Sequence, residues 1–127
     1  MSKVNLQLGV AGEDLACGFL IKNGYAIWAR NHRTKFGEID IIAKDRDTIC
    51  FVEVKTRVSE KQGPPSEAVL KFKQRNISKS AVAFLKDKKL LEHKARFDVV
   101  SVFCASGSAP RIDLIRNAFE LDPVFCL

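Results

Sequence analysis

Asp40, Glu53 and Lys55 are the residues whose types and spacing could do chemistry on a charged substrate. Glu53 and Lys55 sit in the run Phe51-Val52-Glu53-Val54-Lys55, and in a strand alternate residues share a face, so the acid and the base point the same way as Phe51. Both faces of that run are apolar. It therefore belongs in a sheet interior, where an ionised carboxylate is costly unless it is paired, hydrogen-bonded or bound to a cation. A hairpin centred on Arg46-Asp47 places Asp40 opposite Glu53. Two opposed carboxylates repel, and a hard divalent cation such as Mg²⁺ reverses the sign of that interaction. Lys55 would then hold or activate a water. The bland alternative is a local Glu53–Lys55 ion pair, with Asp40 serving the nearby turn. Any one of the residues alone favours it, whereas the three together, on strands this apolar, favour a site.

The elements that must position these residues can be read from periodicity. Apolar residues recur at helical spacing from Leu8 to Lys22, with Asn23-Gly24 as the stop. Tyr25–Arg30, Gly37–Ala43 and Thr48–Arg57 read as strands. Ser66 is the expected N-cap of a second helix running to about Lys88, and Phe97–Cys104 and Ile112–Arg116 read as two further strands. The implied fold class is α/β: one domain over residues 1–127, a mixed β-sheet flanked by helices, with the second helix as a right-handed crossover beside the third strand.

The chain has 127 residues, 46% of them hydrophobic, which fits one domain and excludes disorder or a two-domain enzyme. Its net charge of +6 is uneven. The stretch from Lys55 to Arg96 holds twelve basic and four acidic side chains, so the rest is slightly acidic. On the second helix, Lys71, Arg75, Lys79 and Lys86 fall within an arc of about 80°, a stripe suited to tracking phosphates or simply to facing solvent. Lys73 lies in the apolar arc instead and is expected to reach the site or a phosphate near it. Arg57, just past Lys55, is a candidate phosphate contact. Asp98 is expected to be structural, paired with Arg96 or bonded to backbone. The four cysteines include no C-x-x-C pair, so core thiols are expected and zinc is not. No apolar run approaches a bilayer span and residues 1–10 lack a signal-like core, which points to the cytoplasm.

The segments Gly9-x-x-Gly12-Glu13-x-x-Ala16, Asn31-x-Arg33, Gly37-Glu38-Ile39-Asp40, Phe51-Val52-Glu53-Val54-Lys55-Thr56-Arg57, Val69-x-x-x-Lys73 and Arg96-Phe97-Asp98 closely resemble the YraN family of bacterial proteins, over nearly the whole chain. That family resembles the PD-(D/E)XK nucleases, in particular the archaeal Holliday-junction resolvases. The resemblance implies a restriction-endonuclease-like α-β-β-β-α-β core. It also implies Asp40 and Glu53 as ligands of Mg²⁺ or Mn²⁺, the Val54 carbonyl as a third, Lys55 as the catalytic lysine, and Glu13 as an outer carboxylate near the metal. Ile39 stands where the superfamily name has proline, which removes no ligand.

The expected activity is metal-dependent hydrolysis of phosphodiester bonds in DNA, selected by shape because no base-reading module is visible. RNA would change only the substrate. The alternative is a non-catalytic nucleic-acid-binding or adaptor protein on the same scaffold. The superfamily relatives are often dimers, which admits a homodimer, but oligomeric state stays open because nothing in the sequence identifies an interface.

Overall fold

The computed structural model of the chain describes residues 3–58, 71–105 and 107–119. Seven elements follow in order: α1 (Lys3–Lys22), β1 (Ala26–Thr34), β2 (Gly37–Asp45), β3 (Thr48–Arg57), α2 (Lys71–Asp87), β4 (Lys94–Phe103) and β5 (Arg111–Phe119). The expected order holds, and β3 has the expected bounds. Gly63, the prolines after it and the Ser66 cap lie outside the described residues.

Several boundaries differ. α1 starts at Lys3 and not at Leu8, β1 runs on to Thr34, β2 to Asp45 and β5 to Phe119, and β4 starts at Lys94 and not at Phe97. In the strands, pairing with a neighbour continues past the residues read as strand from the sequence. The polar run Arg30–Thr34 is strand because it pairs with β2, with Arg30 opposite Ile41 and Thr34 opposite Gly37. Hydrogen-bonded partners, not side-chain polarity, set that length.

α1 stops at Asn23-Gly24 through backbone bonds. Gly24 has φ 90° and donates to the Ile21 carbonyl, while Tyr25 donates to that of Leu20, which closes the helix and turns the chain into β1. The β2–β3 hairpin turns on Arg46 and Asp47 with Arg46 at φ 56°. Its register runs from Asp45 opposite Thr48 to Ile41 opposite Val52, the register expected from the sequence.

The sheet order is β1-β2-β3-β4-β5, antiparallel except for β3 and β4, which run parallel with α2 in the connection between them. A parallel pair cannot be joined by a tight turn, so the helix is the crossover. The core has two layers, one on each side of the sheet. Ile77, Phe84 and Leu85 of α2 pack with Ile42, Phe51 and Phe97 on one side, and Ala16 and Leu20 of α1 pack with Ile41, Val52 and Val100 on the other. Strand alternation produces this split, because neighbours such as Val99 and Val100 face opposite layers. Gly12 permits the close seating of α1: a Cβ there would collide with the Thr56 side chain. That contact holds Glu13, the next residue, beside the end of β3.

Candidate functional site

Asp40 and Glu53 lie where β2 and β3 part. β2 stays paired with β1 as far as Gly37, but its ladder with β3 ends at Ile41 opposite Val52. One step further the two strands would bring Asp40 and Glu53 face to face. Instead the Asp40 carboxylate replaces the missing ladder partner, and the Val54 amide donates to its Oδ2 at 2.8 Å. The chain thus uses its own backbone to aim Asp40 at the end of β3. Glu53, 5% exposed, is the other carboxylate, and the Lys73 ammonium from α2 donates to its Oε1.

The electrostatics of the pair follow from its burial. Asp40 is pushed up to about 8, first by loss of hydration and then by the negative charge of Glu53, while the Val54 amide pulls the other way. A hydrogen bond shared with Glu53 and the more distant charge of Glu13 add to the rise. Two carboxyl groups this close hold a proton between them at neutral pH unless a cation takes its place.

Glu13, Asp40, Glu53, Val54, Lys55, Thr56 and Lys73 line one open cavity of about 330 Å³. The structure therefore brings together all four residues expected to be catalytic, with Val54 among them. Lys73 reaches the site as expected, but through Glu53, so the ion pair of Glu53 is with Lys73 and not the local one with Lys55. The Val54 group that serves Asp40 is its N–H.

Glu13 stands back from the pair on α1. Arg30 Nη2 lies 3.9 Å from it and 2.8 Å from Asp14. Among the described residues no three His, Cys, Asp or Glu side chains converge into a ready cation cage. The donor set at the cleft is two convergent carboxylates with backbone and solvent beside them. That fits a hard cation which keeps several waters, as Mg²⁺ does, and does not fit zinc.

Arg57 departs from expectation. It is 5% exposed and its guanidinium lies over the Phe103 ring, 5.7 Å from the centroid. A side chain so covered is not a surface phosphate contact. On α2, Arg75 and Lys86 are exposed and Lys79 is half-buried, its ammonium 5.7 Å from the Phe36 centroid. Lys71 opens the helix, and its side chain lies outside the described residues.

Asp98 is structural, as expected. It is fully buried and accepts from Arg96 Nε, the Tyr25 hydroxyl and the Asn117 amide. Cys17 and Cys50 are buried free thiols, also as expected. Among the described residues no helix is long and apolar enough to cross a membrane.

Sequence reasoning missed Asn31 and Glu38 as neighbours of Glu13. Extending β1 to Thr34 would have revealed Asn31, since the β1–β2 register brackets it opposite Asp40.

Comparison with known proteins agrees with the family-level resemblance. Residues 12–102 match the model of the uncharacterised protein family UPF0102. A UPF0102 protein of Geobacter sulfurreducens is 52% identical over 117 residues, covering 92% of this chain and 91% of that protein. One from Geobacter metallireducens is 52% identical over 121 residues, 95% of this chain and 98% of its own length. One from Syntrophus aciditrophicus is 50% identical over 117 residues, 92% and 91% of the two chains.

Proposed function

Given that the chain belongs to the uncharacterised family UPF0102, we propose, from its site and not from any relative's name, that it is a divalent-metal-dependent endonuclease of the PD-(D/E)XK type. It hydrolyses phosphodiester bonds in DNA and selects its substrate by shape. The observation that carries this reading is the pair of carboxylates, buried Glu53 and half-buried Asp40, converging where two strands part, with Lys55 on the same cleft.

Each residue has a role that its placement supports. Asp40 and Glu53 would hold the cation, and the Val54 amide keeps Asp40 aimed at it. When bound, Mg²⁺ or Mn²⁺ supplies Lewis-acid polarisation of the scissile phosphate and a water of lowered pKa. Lys55, on the same cleft, would orient that water or take up the negative charge that grows on the phosphate oxygens. Lys73 holds Glu53 by its ammonium and lies within reach of an adjacent phosphate. The cleft is open, so a backbone can enter without a base being read, which supports selection by shape.

A binding protein on the same scaffold is the second reading. It is favoured by the Lys73–Glu53 pair, which neutralises one carboxylate with no cation present. Cleavage of labelled single-stranded, duplex, flapped and four-way-junction DNA, with an RNA control, separates the two. Wild type and Asp40→Ala would be compared in Mg²⁺, Mn²⁺ and EDTA. Cleavage that needs both the metal and Asp40 is the expected result. Salt-sensitive binding without cleavage, unchanged in Asp40→Ala, would move the assignment to the binding protein.

A further inference from the structure

Asn31 has φ 51° in the middle of β1, the left-handed conformation that L side chains seldom adopt inside a strand. Its neighbours keep the β1–β2 register, Arg30 opposite Ile41 and His32 opposite Ile39, so the departure falls at the one position facing Asp40. The kink turns the Asn31 amide toward two carboxylates from different elements. Carboxylates only accept, so the amide must present its nitrogen, and in that orientation Nδ2 donates to Glu38 Oε1 at 3.0 Å and to the two Glu13 oxygens at 3.1 and 3.2 Å. One amide hydrogen serves Glu38 on β2, and the other is shared across Glu13 on α1.

This choice of residue is informative. Glycine would meet the backbone requirement with less strain but has no donor. Aspartate tolerates the left-handed region but offers a third acceptor where two carboxylates already converge. Asparagine alone combines the conformation with a neutral double donor. Arg30 and Arg33 take the outer charge of the cluster, Arg30 beside Asp14 and Glu13 and Arg33 3.1 Å from Glu38. The remaining direction open to Glu13 is the cleft that it lines with Asp40 and Glu53.

We infer that Asn31 is a positioning residue of the metal centre: its amide ties Glu13 to Glu38 and so fixes the outer carboxylate beside the cation-holding pair. The inference rests on the metal-centre reading above. Groups that orient a metal's surroundings typically change affinity ten- to a hundredfold when removed.

The test measures Mn²⁺ affinity by titration calorimetry, together with thermal melting, for wild type, Asn31→Gly, Glu13→Gln and the double variant. Asn31→Gly keeps the left-handed backbone and deletes the amide. It should melt close to the wild type yet bind Mn²⁺ about tenfold more weakly. Because Asn31 acts through Glu13, the double variant should bind no more weakly than Glu13→Gln alone. Unchanged affinity in Asn31→Gly, or losses that add in the double variant, would overturn the positioning role while leaving the metal centre standing. A wild-type chain that binds no Mn²⁺ would overturn both.

Discussion

Two carboxylates lie one register step apart in the sheet and receive opposite treatment. Asp98 neighbours Val52 across the β3–β4 ladder, and Glu53 is the next residue along β3. Asp98, on the α1 side, is surrounded by donors: Arg96 Nε at 3.0 and 3.2 Å from its two oxygens, the Tyr25 hydroxyl at 3.2 Å and the Asn117 amide at 2.9 Å. Arg96 also binds the Tyr25 oxygen and Asp45 through Nη2, so one guanidinium serves two acids. Glu53, on the α2 side, and Asp40 have, among the described residues, one ammonium and one backbone amide as direct donors between them. Acid burial alone therefore does not mark a site. The count of donors against acceptors does, because a pair left short of positive charge is the one that a cation completes.

The strongest way to break this contrast is to remove the donor hub. Arg96→Met should destabilise the chain by about 3–5 kcal/mol, since it leaves Asp98 buried and uncompensated and frees Asp45 as well. Urea denaturation would measure it, and a loss below about 1 kcal/mol would mean that Asp98 is not held as a charge. Asp40→Asn should act in the opposite direction. Asp40 titrates higher in the folded chain than in the unfolded one, so its contribution is fully present below its ordinary value near 3.8 and is lost as pH rises through about 8. The metal-free wild type should lose stability across that window, on the order of a few kcal/mol, while Asp40→Asn shows a flatter profile. Added Mg²⁺ should stabilise the wild type most at the alkaline end, where no proton competes for the pair. Parallel pH profiles for the two proteins would show that Asp40 is not under strain.

The contrast between the two acids was only partly legible in the sequence. The hairpin register follows from Arg46-Asp47 as the turn centre, and it was enough to bring Asp40 and Glu53 together. It was not enough to show that the ladder ends one pair earlier, because strand separation depends on which backbone groups find other partners, here Val54 with Asp40. Periodicity on α2 placed Lys73 on the sheet side, but the identity of its partner needed the third dimension. Arg57 failed for a related reason. Alternation puts it on the face of Glu53 and Lys55, but its exposure depends on what packs over it, and Phe103, beside it in register, is one such neighbour. The place of Asn31 beside Glu13 escaped notice because a polar edge strand carries no hydrophobic period to reveal where it continues.

Lys73→Met would sharpen the comparison by making the poorly compensated site poorer. Lys73 is 40% exposed, so water screens the pair and the loss in the metal-free chain should be modest, about 1 kcal/mol. The informative quantity is the response to Mg²⁺. With the ammonium gone, the cation becomes the main source of positive charge at the pair, so its stabilisation should be larger in the variant than in wild type when melting is followed against Mg²⁺ concentration. An equal response would mean that Lys73 and the cation do not answer the same charge.

The smallest effect on folding should come from the surface of α2, where charges face water and each contributes little to stability. Lys71→Glu, Arg75→Glu and Lys79→Glu together should leave the melting temperature nearly unchanged if the stripe acts on a ligand and not on the fold. Their effect should appear in binding. A side chain that neutralises a phosphate releases a counterion, so each lost contact lowers the slope of log affinity against log salt by about one. Lys79, partly packed on Phe36, should contribute less to that slope than the exposed Arg75. Single variants titrated with duplex DNA at several salt concentrations would resolve the order. Affinity and slope both unchanged would remove the stripe from the nucleic-acid surface and leave recognition to the cleft alone.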